Sequence, residues 1–208
     1  MVPHIRRYAR HVVQLAYDYE FWMTAQSDTR ERMARAFAYP DVVVATSHAV
    51  ERMLIEAGRE PDAMITAGLD LNSFRIVREP DLRNAVVGFI ARDGPAKRTE
   101  DAIAALAQVR ATHDIRVIAV GPDRVELPPW VDRFDAPSDD TMRDFYNQLA
   151  VFLLPSLYEG WGLPAAEAMA CGAAVVSTRS GGVEDFAQDG INALLVAPND
   201  AASLANAC

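Results

Sequence analysis

The sequence predicts an α/β protein organised as a Rossmann-like, doubly wound parallel sheet, and two observations carry that expectation. From Val86 onward, short runs of continuous Val, Ile, Leu and Phe alternate with helical segments, the pattern of strands buried on both faces of a parallel sheet. Half of the 208 residues are apolar and 24% are charged, enough for a sizeable core, which excludes disordered, collagen-like and disulfide-scaffold classes.

Charge and cysteine usage narrow the function classes. With 20 basic against 29 acidic residues the formal net charge is -9, which argues against broad nucleic-acid binding, because that affinity comes from neutralising phosphates with Lys and Arg. Cys171 and Cys208 are far apart and in no metal-ligand spacing, which fits a reducing, cytoplasmic setting and predicts no structural zinc. No run approaches the roughly 18 consecutive apolar residues of a membrane span. The apolar stretch after Arg6, Arg7 and Arg10 meets Asp18 and Glu20 too soon for a signal-peptide core.

Ile5, Tyr8, Val12 and Leu15 recur at helical spacing, so the first segment is expected to be an amphipathic helix. Its basic face suits solvent or peripheral contact with an anionic membrane at the inner face. A second helix is expected over about Asp28 to Ala38. The run DVVVAT then reads as a strand, and Ser47 as the N-cap of a helix ended by Gly58. MITAG is a further short strand, and REPDLRN a polar linker.

In the following part VVGFI, IRVIAVG, VDRF, VFLLP, AAVVST and ALLV read as strands. The intervening helices are expected over about Thr99 to Ala111, then to about Leu149 with Asp139 or Asp140 as its cap, near Pro164 to Ala170, and near Val183 to Gln188. A last helix begins near Asp200. Folds of this kind bind ligands outside the carboxyl ends of their strands, so the loops after Ile90, Val120, Leu154 and Thr178 are the expected site.

The chemistry concentrates in VFLLPSLYEGWGLPAAEAMACG, Val151 to Gly172. Gly160 and Gly162 allow backbone conformations and close approaches that a side chain would block, and Pro164 suits a first helical turn. Amides near Gly162 and Leu163, at the positive end of a helix dipole, favour a phosphate. Glu159 and Glu167 flank that anion site; carboxylates make poor phosphate ligands but accept hydrogen bonds from sugar and ribose hydroxyls. The combination fits a nucleotide sugar. In GFIARDGPAKR, Arg92 and Lys97 would add positive charge for a diphosphate at the same edge. The segment SGGVEDF places Gly181 and Gly182 before another helix start, as a tight turn or a ligand contact.

These residues resemble a known family. Glu159, seven intervening residues and Glu167, followed by AMACG and later by GGVEDFAQDG and LLVAPND, look like the retaining glycosyltransferases of family 4 with the GT-B fold. The likeness runs from about Asn84 to Cys208, with Arg92 and Lys97 where the family carries its diphosphate-contacting Arg and Lys; DGPAKR replaces the commoner turn ending in Lys-Gly. Residues 1–80, with AYDYEFW, SHAVERML and AGLDLNSF, resemble the end of the family's acceptor domain and its linker, and 81–208 the donor-binding domain.

The resemblance implies transfer of a sugar from a nucleoside-diphosphate sugar to an acceptor hydroxyl, with retention and with no required metal or other cofactor. Glu159 would bind donor-sugar hydroxyls, Glu167 the ribose, and the backbone from Gly160 through Trp161 and Gly162 to Leu163 the sugar and phosphate. Arg92 and Lys97 would stabilise charge on the leaving diphosphate. Most of the acceptor domain is expected to be missing, as is a terminal helix, so that the chain is a fragment competent at most for donor binding, its acceptor a glycan or lipid-linked group. The alternatives are a non-catalytic nucleotide-sugar-binding module, a subunit that completes its site with a partner chain, and a related nucleotide-sugar epimerase.

Overall fold

The computed structural model describes residues 8–18, 22–23, 25–122, 125–134 and 138–208. The chain divides into two compact units, one of residues 1–68 with Tyr158–Trp161 and one of Leu69–Leu157 with Gly162–Cys208.

The first unit holds β1 (Val13–Ala16), α1 (Ser27–Phe37), β2 (Val42–Ala45), α2 (His48–Glu56) and β3 (Ala63–Met64). Its three strands form a parallel sheet in the order β1-β2-β3. The expected first helix is corrected here: Val13–Ala16 pairs in register with Val42–Ala45, and Ile5, Arg6 and Arg7 lie outside the described residues. Here pairing with a neighbouring strand overrides the local helical periodicity, because strand preference is set by the neighbours as much as by the residues themselves. Ser47 accepts a hydrogen bond from the Val50 amide (3.1 Å) and caps α2 as expected. Ala16, Trp22, Phe37, Val43, Val50, Met53 and Leu54 form this unit's core, with Tyr158 packed against it.

The second unit holds β4 (Val86–Ile90), α3 (Thr99–Arg110), β5 (Arg116–Val120), β6 (Val131–Arg133), α4 (Asp139–Tyr146), β7 (Val151–Leu154), α5 (Leu163–Ala170), β8 (Ala174–Thr178), β9 (Leu194–Val196) and α6 (Ala201–Ala207). The six strands pair in parallel in the order β6-β5-β4-β7-β8-β9. This is the doubly wound sheet that the sequence predicts, with its switch point between β4 and β7.

Alternation along the strands sends side chains to both faces. Phe152 and Leu154 join Phe145, Tyr146, Leu149, Ala165 and Ala168 in one core. Val87, Phe89 and Leu153 join Ala102, Ala105, Leu106 and Leu204 in the other.

Two local expectations are corrected. Ser138, rather than Asp139 or Asp140, caps α4; its hydroxyl accepts from the Thr141 amide while Thr141 Oγ1 accepts from the Ser138 amide, a reciprocal arrangement that satisfies two end amides. Val183–Gln188 forms only a 3-10 turn over Gly182–Asp185.

Residues 69–83 pack on the second unit. Buried Asn147 accepts from the amides of Val77 (2.8 Å) and Arg78 (3.2 Å) and donates to the Arg75 carbonyl (3.0 Å). The Arg83 guanidinium donates to the carbonyls of Leu149 (2.8 Å) and Cys171 (2.6 Å) at the ends of α4 and α5. Among the described residues no helix is long and apolar enough to cross a membrane.

Candidate functional site

The carboxyl ends of β4, β7 and β8 are tied together by one backbone and one side-chain hydrogen bond. The Leu157 amide, in the loop after β7, donates to the Ala96 carbonyl (2.7 Å), in the loop after β4. The Thr178 hydroxyl, at the end of β8, donates to the Ser156 carbonyl. The two loops that flank the switch point are thus held against each other, where open parallel sheets take their ligands.

The loop from Arg92 to Arg98 is closed by the first residue of α3. Thr99 Oγ1 accepts from the Arg92 amide (3.0 Å) and donates to the Arg92 carbonyl (2.8 Å). The Lys97 amide bonds Gly94 O (3.1 Å), so both cations stand on an internally braced turn. Arg98 ends it in the left-handed region at φ 49, a conformation that costs an L-residue about 1–2 kcal/mol. Its guanidinium forks onto Asp101, with both contacts at 2.8 Å. Arg92 is exposed and Lys97 half-buried. Arg92 also forms one wall of a groove of about 450 Å³ with Thr99, Ile103, Val125 and Glu126.

α5 opens at Gly162, whose φ of 90 lies in the left-handed region; a Cβ there would stand 2.4 Å from Val183 Cγ2. Both facts require glycine. Intrahelical bonding starts with the Ala165 and Ala166 amides donating to Gly162 O (2.9 and 3.3 Å), and Pro164 has no amide to place. The helix therefore begins with the amides of Gly162 and Leu163 ahead of its bonded turns, an anion-favouring end.

Glu167, one turn into α5, is half-buried. Its Oε2 accepts from the Tyr146 hydroxyl at 2.8 Å. Burial raises the Glu167 pKa above its usual 4.5, with Asp139 adding to the rise; the Tyr146 hydroxyl and the Arg92 charge oppose it. Burial and the adjoining Glu167 carboxylate hold the Tyr146 phenol well above its usual range, so it is a donor only.

The second unit thus carries Arg92, Lys97, Gly162, Leu163 and Glu167, with the two loops joined at Ala96–Leu157 and Arg92 close enough to Glu167 for their charges to interact. Glu159, Gly160 and Trp161 group with the first unit. There Glu159 is buried, and Gly160 lies against the backbone of Tyr17 and Asp18, where a Cβ would stand 1.9 Å from the Tyr17 carbonyl oxygen. Gly160 is thus a close-approach glycine and Gly162 a conformational one. The loops expected to line a nucleobase pocket, after Gly121 and around Asp135–Ser138, fall partly outside the described residues. Sequence reasoning missed Thr99 and Tyr146 as braces of the site. A hydroxyl residue opening the helix after the cationic loop was the available signal for Thr99; none existed for Tyr146.

A doubly wound sheet with a cationic loop and a helix start at its switch point is a class of fold that takes its ligands at that edge. Residues 84–208, more than half of the chain, match the family Glycosyl transferases group 1, and the chain belongs to that family. It is similar to an MMP alpha-(1->4)-mannosyltransferase of Mycolicibacterium hassiacum, 28% identical over 187 residues that cover 83% of this chain and 45% of the relative. It is also similar to a D-inositol 3-phosphate glycosyltransferase of Acidothermus cellulolyticus, 30% identical over 221 residues, covering 88% and 49%. The chain thus spans about half the length of these relatives.

Among solved structures it is similar to Anabaena Alr3699/HepE in complex with UDP-glucose, with a TM-score of 0.83 and 24% identity over 99% of this chain and 63% of that one. Sucrose-phosphate synthase from Thermosynechococcus elongatus gives a TM-score of 0.82 and 23% identity over 98% and 59%. At such identities the likeness shows the fold, which is GT-B-like.

Proposed function

We propose that these 208 residues carry the donor side of a glycosyltransferase reaction: binding of a nucleoside-diphosphate sugar for transfer, with retention, to an acceptor hydroxyl. The observation that carries the reading is the Ala96–Leu157 hydrogen bond. It holds the Arg92–Lys97 loop to the loop leading into α5, so that cations, helix-start amides and the Glu167 carboxylate serve one ligand. The UDP-glucose complex of the structurally similar HepE and the mannosyltransferase relative support a nucleotide-hexose donor.

In this reading the amides of Gly162 and Leu163 hold the phosphates, and Glu167 accepts hydrogen bonds from ribose hydroxyls. Arg92 and Lys97 meet the negative charge that grows on the diphosphate as the glycosidic bond breaks, an electrostatic role in the leaving group's departure that calls on no metal. Glu159 would bind hydroxyls of the donor sugar, beside Gly160 and Trp161. The leaving phosphate would take the acceptor's proton, so the chain needs no dedicated base. The acceptor is an alcohol, of glycan or lipid-linked type. The setting is the cytoplasm, with peripheral contact at the inner membrane face.

Calorimetric titration with UDP, GDP and ADP tests this. Saturable binding of one diphosphate, weakened by Glu167→Ala, is the expected result. A folded chain that binds none of the three would overturn it.

A further inference from the structure

We propose that Tyr146 is a positioning residue for ribose recognition: its hydroxyl holds Glu167 by one carboxylate oxygen and thereby fixes the other for the ribose hydroxyls. The proposal rests on the reading of Glu167 as the ribose acceptor given above.

Tyr146 is fully buried. Its ring lies among Phe74, Phe145 and Phe152, with centroids at 6.1, 5.4 and 5.4 Å. Packing alone asks for nothing more than phenylalanine there. The hydroxyl must be satisfied once buried, and its partner is Glu167 Oε2 at 2.8 Å. Among the described residues no other hydrogen bond engages that carboxylate. A buried polar pair that an apolar pair could replace with little loss of stability is explained if the carboxylate is needed at the edge of the site and must be held still. Glutamate has three side-chain torsions to immobilise, and a ligand that finds them already fixed loses less on binding.

The two residues are 21 positions apart, on the last turn of α4 and the second turn of α5. Both helices pack on the same face of the sheet, in one core. The brace therefore joins two helices of one core, whereas Arg92 and Lys97 stand on a loop. A side chain whose orientation is locked by packing is the kind of support a recognition group needs.

The test is a titration of the parent chain and of Tyr146→Phe with UDP, GDP and ADP, then with the 2′,3′-dideoxy counterpart of whichever binds tightest. The ratio of ribo to dideoxy affinity is the ribose preference, expected to be roughly tenfold or more in the parent, as for hydrogen bonds to a charged acceptor. Tyr146→Phe is expected to cut that preference several-fold while the dideoxy affinity stays within about twofold, because the ring still fills its place. Loss of both affinities in parallel, or loss of folding by circular dichroism, would assign Tyr146 to the core alone and overturn the proposal. An unchanged preference in Tyr146→Phe, beside a preference abolished by Glu167→Ala, would overturn the proposal and leave the reading of Glu167 standing. If Glu167→Ala itself keeps the preference, that reading fails and the proposal fails with it.

Discussion

The Thr99 hydroxyl brackets Arg92, accepting from its amide at 3.0 Å and donating to its carbonyl at 2.8 Å. One buried side chain thus satisfies both backbone groups of an exposed residue and sets where its guanidinium can reach. Thr99→Val keeps the shape and removes both bonds. It is expected to cost about 1–2 kcal/mol of stability in urea unfolding, and to weaken diphosphate binding several-fold by freeing the loop. Unchanged affinity would separate the loop from the ligand.

Arg98 combines a left-handed backbone with a bidentate ion pair to Asp101. The two contributions oppose each other, and two substitutions separate them. Arg98→Ala removes the pair and keeps the backbone cost; Arg98→Gly removes both. Glycine is therefore expected to be more stable than alanine here by about 1 kcal/mol, read as a difference in urea midpoints.

Glu167 should lower the stability of the fold at neutral pH. Its folded pKa lies above the usual 4.5, chiefly through burial. Between 4.5 and that raised value the folded chain binds more protons than the unfolded one, so stability falls as pH rises through this window and then levels off. Glu167→Gln, which retains a carbonyl oxygen for Tyr146, is expected to be more stable than the parent at pH 7, with the gap closing below about pH 4.5. Chemical unfolding of both chains across pH 4 to 8 reads this directly. A gap independent of pH would contradict it.

Arg83 is expected to be the most damaging polar position outside the site. Its guanidinium donates to Leu149 O, Cys171 O and Arg78 O at 2.8, 2.6 and 2.7 Å, and its charge lies at helix carboxyl ends. Arg83→Met would orphan these carbonyls and is expected to cost about 2–4 kcal/mol in thermal or urea unfolding. Lysine, a single point of charge without the fork, should recover only part.

Much of the second unit was legible because its signals are local. Apolar strand runs such as VVGFI and VFLLP, and the Gly162–Pro164 helix start, fall where the sequence places them. The braces were not legible. Thr99 meets Arg92 across a turn, and Tyr146 meets Glu167 from a separate helix, contacts that exist only once the sheet has formed. The N-terminal segment failed for the same reason in reverse. Tyr8, Val12 and Leu15 keep helical spacing, yet Val13–Ala16 is a strand because Val42–Ala45 offers it a ladder. Ser138 displaced Asp139 and Asp140 as the cap of α4 because Thr141 returns its hydrogen bond, a reciprocity that ranking single residues does not register.

In the proposed function a nucleoside diphosphate sits at the switch point of the second unit. The most direct measurement is an amide-resolved NMR titration of the ¹⁵N-labelled chain with whichever of UDP, GDP and ADP binds tightest. The amides of Arg92, Lys97, Gly162, Leu163 and Glu167 are expected to shift together along one binding curve, while those at the far end of α3, around Arg110, do not move. Shifts confined to the opposite end of the sheet, or to the outer groove at Val125 and Glu126 with Gly162 and Leu163 unmoved, would contradict it.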